Sequence, residues 1–264
     1  MRLKSALRRG VAAAVIAGIV VSSGIPAYAE RWDIAKGDIT VEAGGAGGTN
    51  KVTQGETTKE DTDTVITGES DKSTVTIDTS KGDVDVTFDD LKINVSGKTE
   101  GDSSGKAEGD VSDKTEVDGS GDSPVRESNA AVTVKGDHDA TIELDGANEL
   151  KSGSCNAGLE KNGNESSGKL TIKDDNDTKG SLTAEGGEDG AGIGGGYESG
   201  AGNIEITGGT VEAVGGEGAA GIGGGVYGPG RDIEISGGKV SASGGSYSGD
   251  PRPGRHWRRR GCVV

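Results

Sequence analysis

Large side chains are scarce in this sequence. Aromatics supply 3% of its 264 residues and hydrophobic residues 30%, too little for an ordinary globular core of large side chains. Cysteine is nearly absent: Cys155 and Cys262 allow one bridge at most, so no disulfide framework organises the chain, and Cys155 reads as an unpaired small residue at a turn. Histidine is limited to His138 and His256, with no zinc-ligand spacing around either. His138, between Asp137 and Asp139, reads as part of a solvated turn. Basic residues are outnumbered: 28 Lys and Arg stand against 44 Asp and Glu, a formal charge of −16. That balance argues against a nucleic-acid partner, because phosphate binding needs a basic surface. No nucleophile elbow, phosphate loop or EF-hand loop occurs.

Glycine is what the chain has in quantity, with 51 residues. Much of it falls in two tandem blocks. Residues 186–214 read GGEDGAGIGGGYESGAGNIEITGGTVEAV, and residues 215–243 read GGEGAAGIGGGVYGPGRDIEISGGKVSAS. Ile193 recurs as Ile222, Ile204 as Ile233, Ile206 as Ile235 and Val211 as Val240, each 29 residues on. Leu182 precedes Val211 by the same step, so the period reaches at least one coil upstream. Such a period marks a solenoid, in which each repeat buries its face only against its neighbours. Within each block, Ile204-Glu205-Ile206 and Val211-Glu212-Ala213 alternate as strands do. Gly208-Gly209 and Gly215-Gly216 punctuate them as turns. Three short strands with glycine corners predict one coil of a three-sided β-helix. Helix is disfavoured, since glycine costs about 1 kcal/mol at each interior helical position. The strict Gly-X-Y period of collagen is missing. The glycine runs are not dinucleotide fingerprints either, because they repeat and no helix signal follows them.

The ends and one internal stretch break this pattern. Residues 1–29 read as a secretory signal peptide: Arg2, Lys4, Arg8 and Arg9, an apolar core over 11–21, then Ala27-Tyr28-Ala29 before Glu30. That core is too short to span a bilayer, so no membrane span is expected after cleavage and the product is secreted or held at the cell surface. Loss of four positive residues takes the formal charge from −16 to −20. The β-helix is expected over 30–250, with Trp32 covering its open end. Strands are expected at 38–43, 64–67, 74–78, 84–88, 91–95, 131–134, 140–144, 148–150, 169–173 and 181–184. Residues 97–128 are polar and repetitive and predict a mobile, disordered loop extruded from one coil. Residues 251–264 form an aberrant basic tail with five arginines where a third glycine block is due. Read one base later, the codons of His256-Trp257 give Ile-Gly or Thr-Gly, so the tail reads as a frameshifted copy of the repeat. The nucleotide sequence of the gene decides that point.

Acidic turns carry the chemistry this sequence offers. Calcium takes six to eight oxygens from carboxylates and turn carbonyls. The candidates are Asp89 with Asp90, Asp137 with Asp139, and Asp174, Asp175 and Asp177, the last group being the densest. Tyr197 and Tyr227 follow the Gly-Ile-Gly blocks, with Tyr247 in the next linker, and are candidates for stacking against sugar rings. Each of these also reads as an ordinary turn: a solvated carboxylate pair, or a tyrosine covering a coil.

Several stretches resemble a known family: Trp32-Asp33-Ile34 after the leader, VDVTFDDLKINVSG at 84–97, ATIELDGANELKSGSCNAGLE at 140–160, and the GAGIGGG blocks. Over most of residues 31–245 they resemble the secreted carbohydrate-binding-domain proteins of Gram-positive bacteria. The resemblance implies a right-handed parallel β-helix that binds calcium and acidic polysaccharide of the polygalacturonate type. The matching motifs look like scaffold, so the resemblance speaks for the fold more than for the ligand. Beside a non-catalytic binding protein stand two alternatives: a structural stalk or adhesin segment, and a polysaccharide lyase. The lyase is disfavoured because the coils offer no arginine ladder.

Overall fold

The computed structural model describes residues 30–45, 48–97, 129–176 and 178–246. The leader, all but the first residue of the 97–128 insertion, Asp177, Tyr247 and the basic tail lie outside the described residues. Within them the chain is an all-β, right-handed parallel β-helix with three faces. The strands are β1 (Arg31–Asp33), β2 (Ile39–Ala43), β3 (Asn50–Gln54), β4 (Thr57–Asp61), β5 (Thr64–Ser70), β6 (Val75–Asp78), β7 (Val84–Asn94), β8 (Val132–Lys135) and β9 (Ala140–Lys151). They continue as β10 (Leu159–Glu160), β11 (Leu170–Lys173), β12 (Gly180–Glu185), β13 (Ile193–Gly194), β14 (Ile204–Ile206), β15 (Thr210–Glu217), β16 (Ile222–Gly223), β17 (Ile233–Ile235) and β18 (Lys239–Gly245).

Alternation places every second side chain inside the coil, and parallel register then stacks like on like. On the first face the inner column runs Val86, Ile142, Ile172, Ile206, Ile235. On the second it runs Leu182, Val211, Val240. On the third it runs Val75, Val132, Leu159, Ile193, Ile222. The residues paired by the 29-residue period are thus paired in space. Each fully buried Ile, Leu or Val contributes about 1.5–3 kcal/mol by leaving water, and narrow columns of them replace the large aromatic core this composition cannot build.

Corners need backbone that most side chains resist. β5, β7 and β9 each serve two faces, bending at Gly68 (φ +92°), Asp90 (φ +53°) and Gly146 (φ +63°). The sequence reading places separate strands on either side of Asp90. The chain does turn there, yet pairing with β9 continues beyond a register shift between Asp89 and Lys92. The shift leaves the Leu91 N–H without a ladder acceptor, and the buried Asn148 side chain accepts it at 2.9 Å while donating to the Asp145 and Ser181 carbonyls. This explains the asparagine in the Leu-Asp-Gly-x-Asn-x-Leu run.

The N-terminal end is closed. β2, β3 and β4 fold as an antiparallel meander against β6. Trp32 is buried and its indole N–H donates to Asp61 at 2.8 Å, which makes it the expected end cover. β3 and β4 have no counterpart in the sequence reading, because β3 carries one large apolar residue, Val52, and β4 carries none. Polar bonds hold them in place: Asn50 donates to Thr64 and to the Asp85 carbonyl, and Gln54 donates to the carbonyls of Asp33 and Gly37.

Glycine at one corner is fixed by contact between coils. A methyl group at Gly187 would overlap the Gly153 carbonyl, one at Gly216 that of Gly187, and one at Gly245 that of Gly216. Gly216→Ala is therefore expected to cost about 1–3 kcal/mol, the usual penalty for overpacking. Gly45→Ala, where the added carbon meets nothing, is expected to leave stability unchanged. Thermal unfolding of the two variants checks this; equal midpoints would contradict it.

Candidate functional site

A lateral cleft of about 350 Å³ opens on the second face. Side chains of β5, β7, β9 and β12 form its walls. In-register outward rows create it. Glu69, Lys92, Glu149 and Thr183 form one row, and Asn94, Lys151 and Glu185 another. Lys92 lies 3.7 Å from Glu149, and Lys151 pairs with Glu185. Both pairs are largely exposed, so each contributes little to stability, about 0–1 kcal/mol. Glu69 and Asp71 stand exposed beside them. None of these residues belongs to the acidic turns singled out in the sequence. The signal that could have found them is the outward position next to each inner column, read across coils.

The predicted metal-binding carboxylates among the described residues each have a protein partner. Asp89 accepts from Arg31 at 2.7 Å. Its neighbour Asp90 accepts the Ala147 N–H at 2.9 Å. Asp174 accepts the Gly180 N–H at 3.3 Å, while Asp175 pairs with Lys173. Asp137 and Asp139 accept from Ser167 and from the Lys169 N–H. Among the described residues no group of three or more His, Cys, Asp or Glu side chains is arranged to hold a metal ion. Asp177 lies outside them. Cys155 is not a free thiol, which corrects its reading as an unpaired turn residue.

Around Lys173 the electrostatics are local. Glu143 is buried, and its Oε1 accepts the N–H groups of Asp175 and Asn176. Lys173 Nζ sits 3.3 Å from Oε2, off the line a hydrogen bond needs, so that buried oxygen has an ionic neighbour but no donor. Burial first, and the Asp175 carboxyl next, push Glu143 above its ordinary range. Lys173 and Glu143 hold Asp175 below its own.

Two buried ionisable residues lie side by side in sequence on the third face. Glu160 accepts from the Ala157 N–H at 3.0 Å and from the Asn162 amide at 3.1 Å. Burial pushes its carboxyl up to about 7. Lys161 points inward, where the carbonyls of Ser166 and Gly202 receive its ammonium at 3.1 and 2.9 Å. Burial lowers its pKa. Both residues face close-packed backbone of the glycine coils, since Gly196 leaves room for Glu160 only by lacking a Cβ. They hold the turn together.

The structure brings Tyr197 and Tyr227 together. Their ring centroids are 6.2 Å apart in an edge-to-face arrangement. Tyr227 sits in a left-handed backbone conformation (φ +65°) and is 70% exposed. The pair lies at the corner leaving the third face, away from the cleft on the second.

The raised Glu160 pKa fixes a sign. Its neutral form is favoured in the folded chain, so its contribution to stability is complete below the ordinary value of 4.5 and is lost as pH rises through about 7. The cost at higher pH is on the order of 3 kcal/mol. Glu160→Gln is expected to flatten the stability profile across that window relative to the parent chain. Parallel profiles in urea titrations from pH 5 to 8 would contradict the assignment.

Three segments, residues 178–197, 204–226 and 233–249, match the family model described as a beta helix repeat. No curated protein and no solved structure matches the chain. The matched segments coincide with the coils built from β12 to β18, and these coils are β-helix repeats.

Proposed function

We propose that the chain is a non-catalytic carbohydrate-binding protein, secreted or held at the cell surface, which takes an acidic, polygalacturonate-like polysaccharide with calcium between the two. The lateral cleft carries this reading. It crosses consecutive coils, as an extended polymer requires, and its walls combine hydroxyl, amide and charged groups suited to sugar hydroxyls. Glu69, Asp71, Glu149 and Glu185 outnumber Lys92 and Lys151. An acidic polymer lying there would be repelled unless divalent cations intervened, and calcium accepts oxygens from protein and glycan together. Glu69, in β5, and Asp71, just beyond its end, are the exposed carboxylates best placed to share a cation with the glycan. Tyr197 and Tyr227 offer a separate stacking surface for a second stretch of chain. Among the described residues no helix is long and apolar enough to cross a membrane.

A structural stalk is the second reading, favoured by the carboxylates of the acidic turns, whose bonds are spent within the protein. The two readings part in a retention assay on immobilised polygalacturonate, with neutral dextran as control. The binding reading expects retention in millimolar calcium, release by chelator, and at least a tenfold weaker Kd in the Glu69→Gln, Asp71→Asn double variant, a loss of about 1.4 kcal/mol. Retention insensitive to chelator would remove calcium from the account. No retention on either glycan would leave the stalk.

A further inference from the structure

Two cations, Lys92 and Lys151, line the lateral cleft among its acids, and register fixes where they stand. Lys92 lies in the row of Glu69, Glu149 and Thr183, and Lys151 in the neighbouring row with Asn94 and Glu185. The two lysines are therefore diagonal neighbours. They are one coil apart along the axis, ~4.8 Å, and two residues apart along the strand, ~6.6 Å. Their stems leave the sheet about 8 Å from each other.

Both ammonium groups stay within reach of solvent. The Lys92 Nζ is 3.7 Å from Glu149, too long for a hydrogen bond. Lys151 pairs with Glu185, and close to half of each lysine side chain is exposed. Exposed pairs of this kind are weak, so an incoming carboxylate can replace either glutamate at small cost. The offset suits a polymer that runs along the axis. Successive rings of an extended acidic glycan advance by roughly one coil and turn about the chain, so their carboxylates project to alternate sides. Two cations displaced both along the axis and across it can meet two consecutive carboxylates. Two cations in one row would face one side of the chain alone.

On the reading of this cleft as the site of an acidic polysaccharide, we infer that Lys92 and Lys151 are its specificity-determining residues. Each exchanges its own glutamate for the carboxylate of one of two consecutive uronate rings. The released Glu149 and Glu185 then join Glu69 and Asp71 as oxygen donors to calcium, which takes carboxylates from protein and glycan alike. The lysines thus select the carboxylate, and the glutamates they release hold the cation. A methyl-esterified ring has no charge with which to displace a glutamate. It would leave both lysines paired within the protein and gain neither contact, so the same exchange that admits the acid discriminates against the ester.

Retention of the full chain in millimolar calcium, on polygalacturonate and on its fully methyl-esterified form, tests the assignment. The parent chain is expected to bind the free acid at least about tenfold more tightly than the ester, the scale of one charge-assisted hydrogen bond. The Lys92→Met, Lys151→Met double variant should lose that preference, and the Lys92→Arg, Lys151→Arg variant should keep it. Lys81→Met with Lys135→Met is the control. It removes the same charge from exposed pairs with Glu42 and Asp78 on the third face and should behave as the parent. A methionine variant of the cleft that keeps the preference would overturn the assignment and leave glycan binding in place. So would a control that loses the preference equally, or a parent chain that binds both polymers alike. A parent chain retained on neither polymer would overturn the binding reading itself, and the assignment with it.

Discussion

The register between coils is the constraint on which everything else rests. One parallel hydrogen-bonded ladder decides at once which side chains stack inside, which charges meet outside, and where a Cβ is forbidden. A slip of one residue would turn Ile204 and Ile206 outward and bring Glu205 into the column. The chain can fold around a thin core because inner residues of the middle coils are covered above and below by their equivalents. Ile193 on Leu159 and under Ile222 is one such stack.

Polar exceptions to that core follow the same ladder. Where a bulge removes a bond, the Asn148 side chain replaces it. Where the inward position after Leu159 falls to Lys161, two turn carbonyls receive the ammonium. Outside, Lys169 with Glu205 and Lys135 with Asp78 join neighbouring coils at 2.8 and 3.2 Å. Exposed pairs of this kind add little free energy, and their regularity comes from the register beneath them. The lateral cleft has the same origin. Rows of outward Glu, Lys and Asn side chains form because the strands below are aligned.

Much of this was legible from residues, and the limits were physical. Ile204, Ile206 and Val211 alternate with acids and recur after 29 residues, so both the strands and their partners could be read. β3 and β4 could not. Their place depends on side-chain bonds from Asn50 and Gln54 to distant carbonyls, and no local pattern encodes a distant acceptor. The acidic turns were visible as clusters, yet Asp89 and Asp90 point to different partners across the corner at Asp90. Neighbours in sequence are not neighbours in charge when the backbone between them is left-handed. The cleft was illegible for the opposite reason, because Glu69, Lys92 and Glu149 are far apart in sequence and meet only through register.

The most direct test of that register is a distance across several coils. Lys92 and Ser241 lie on one outward column through Glu149, Thr183 and Glu212. Each step rises about 4.8 Å, so spin labels at the two positions should give a narrow distance distribution near ~19 Å, widened only by the label linkers. A broad distribution, or a centre beyond about 30 Å, would mean that the coils are not stacked in this register.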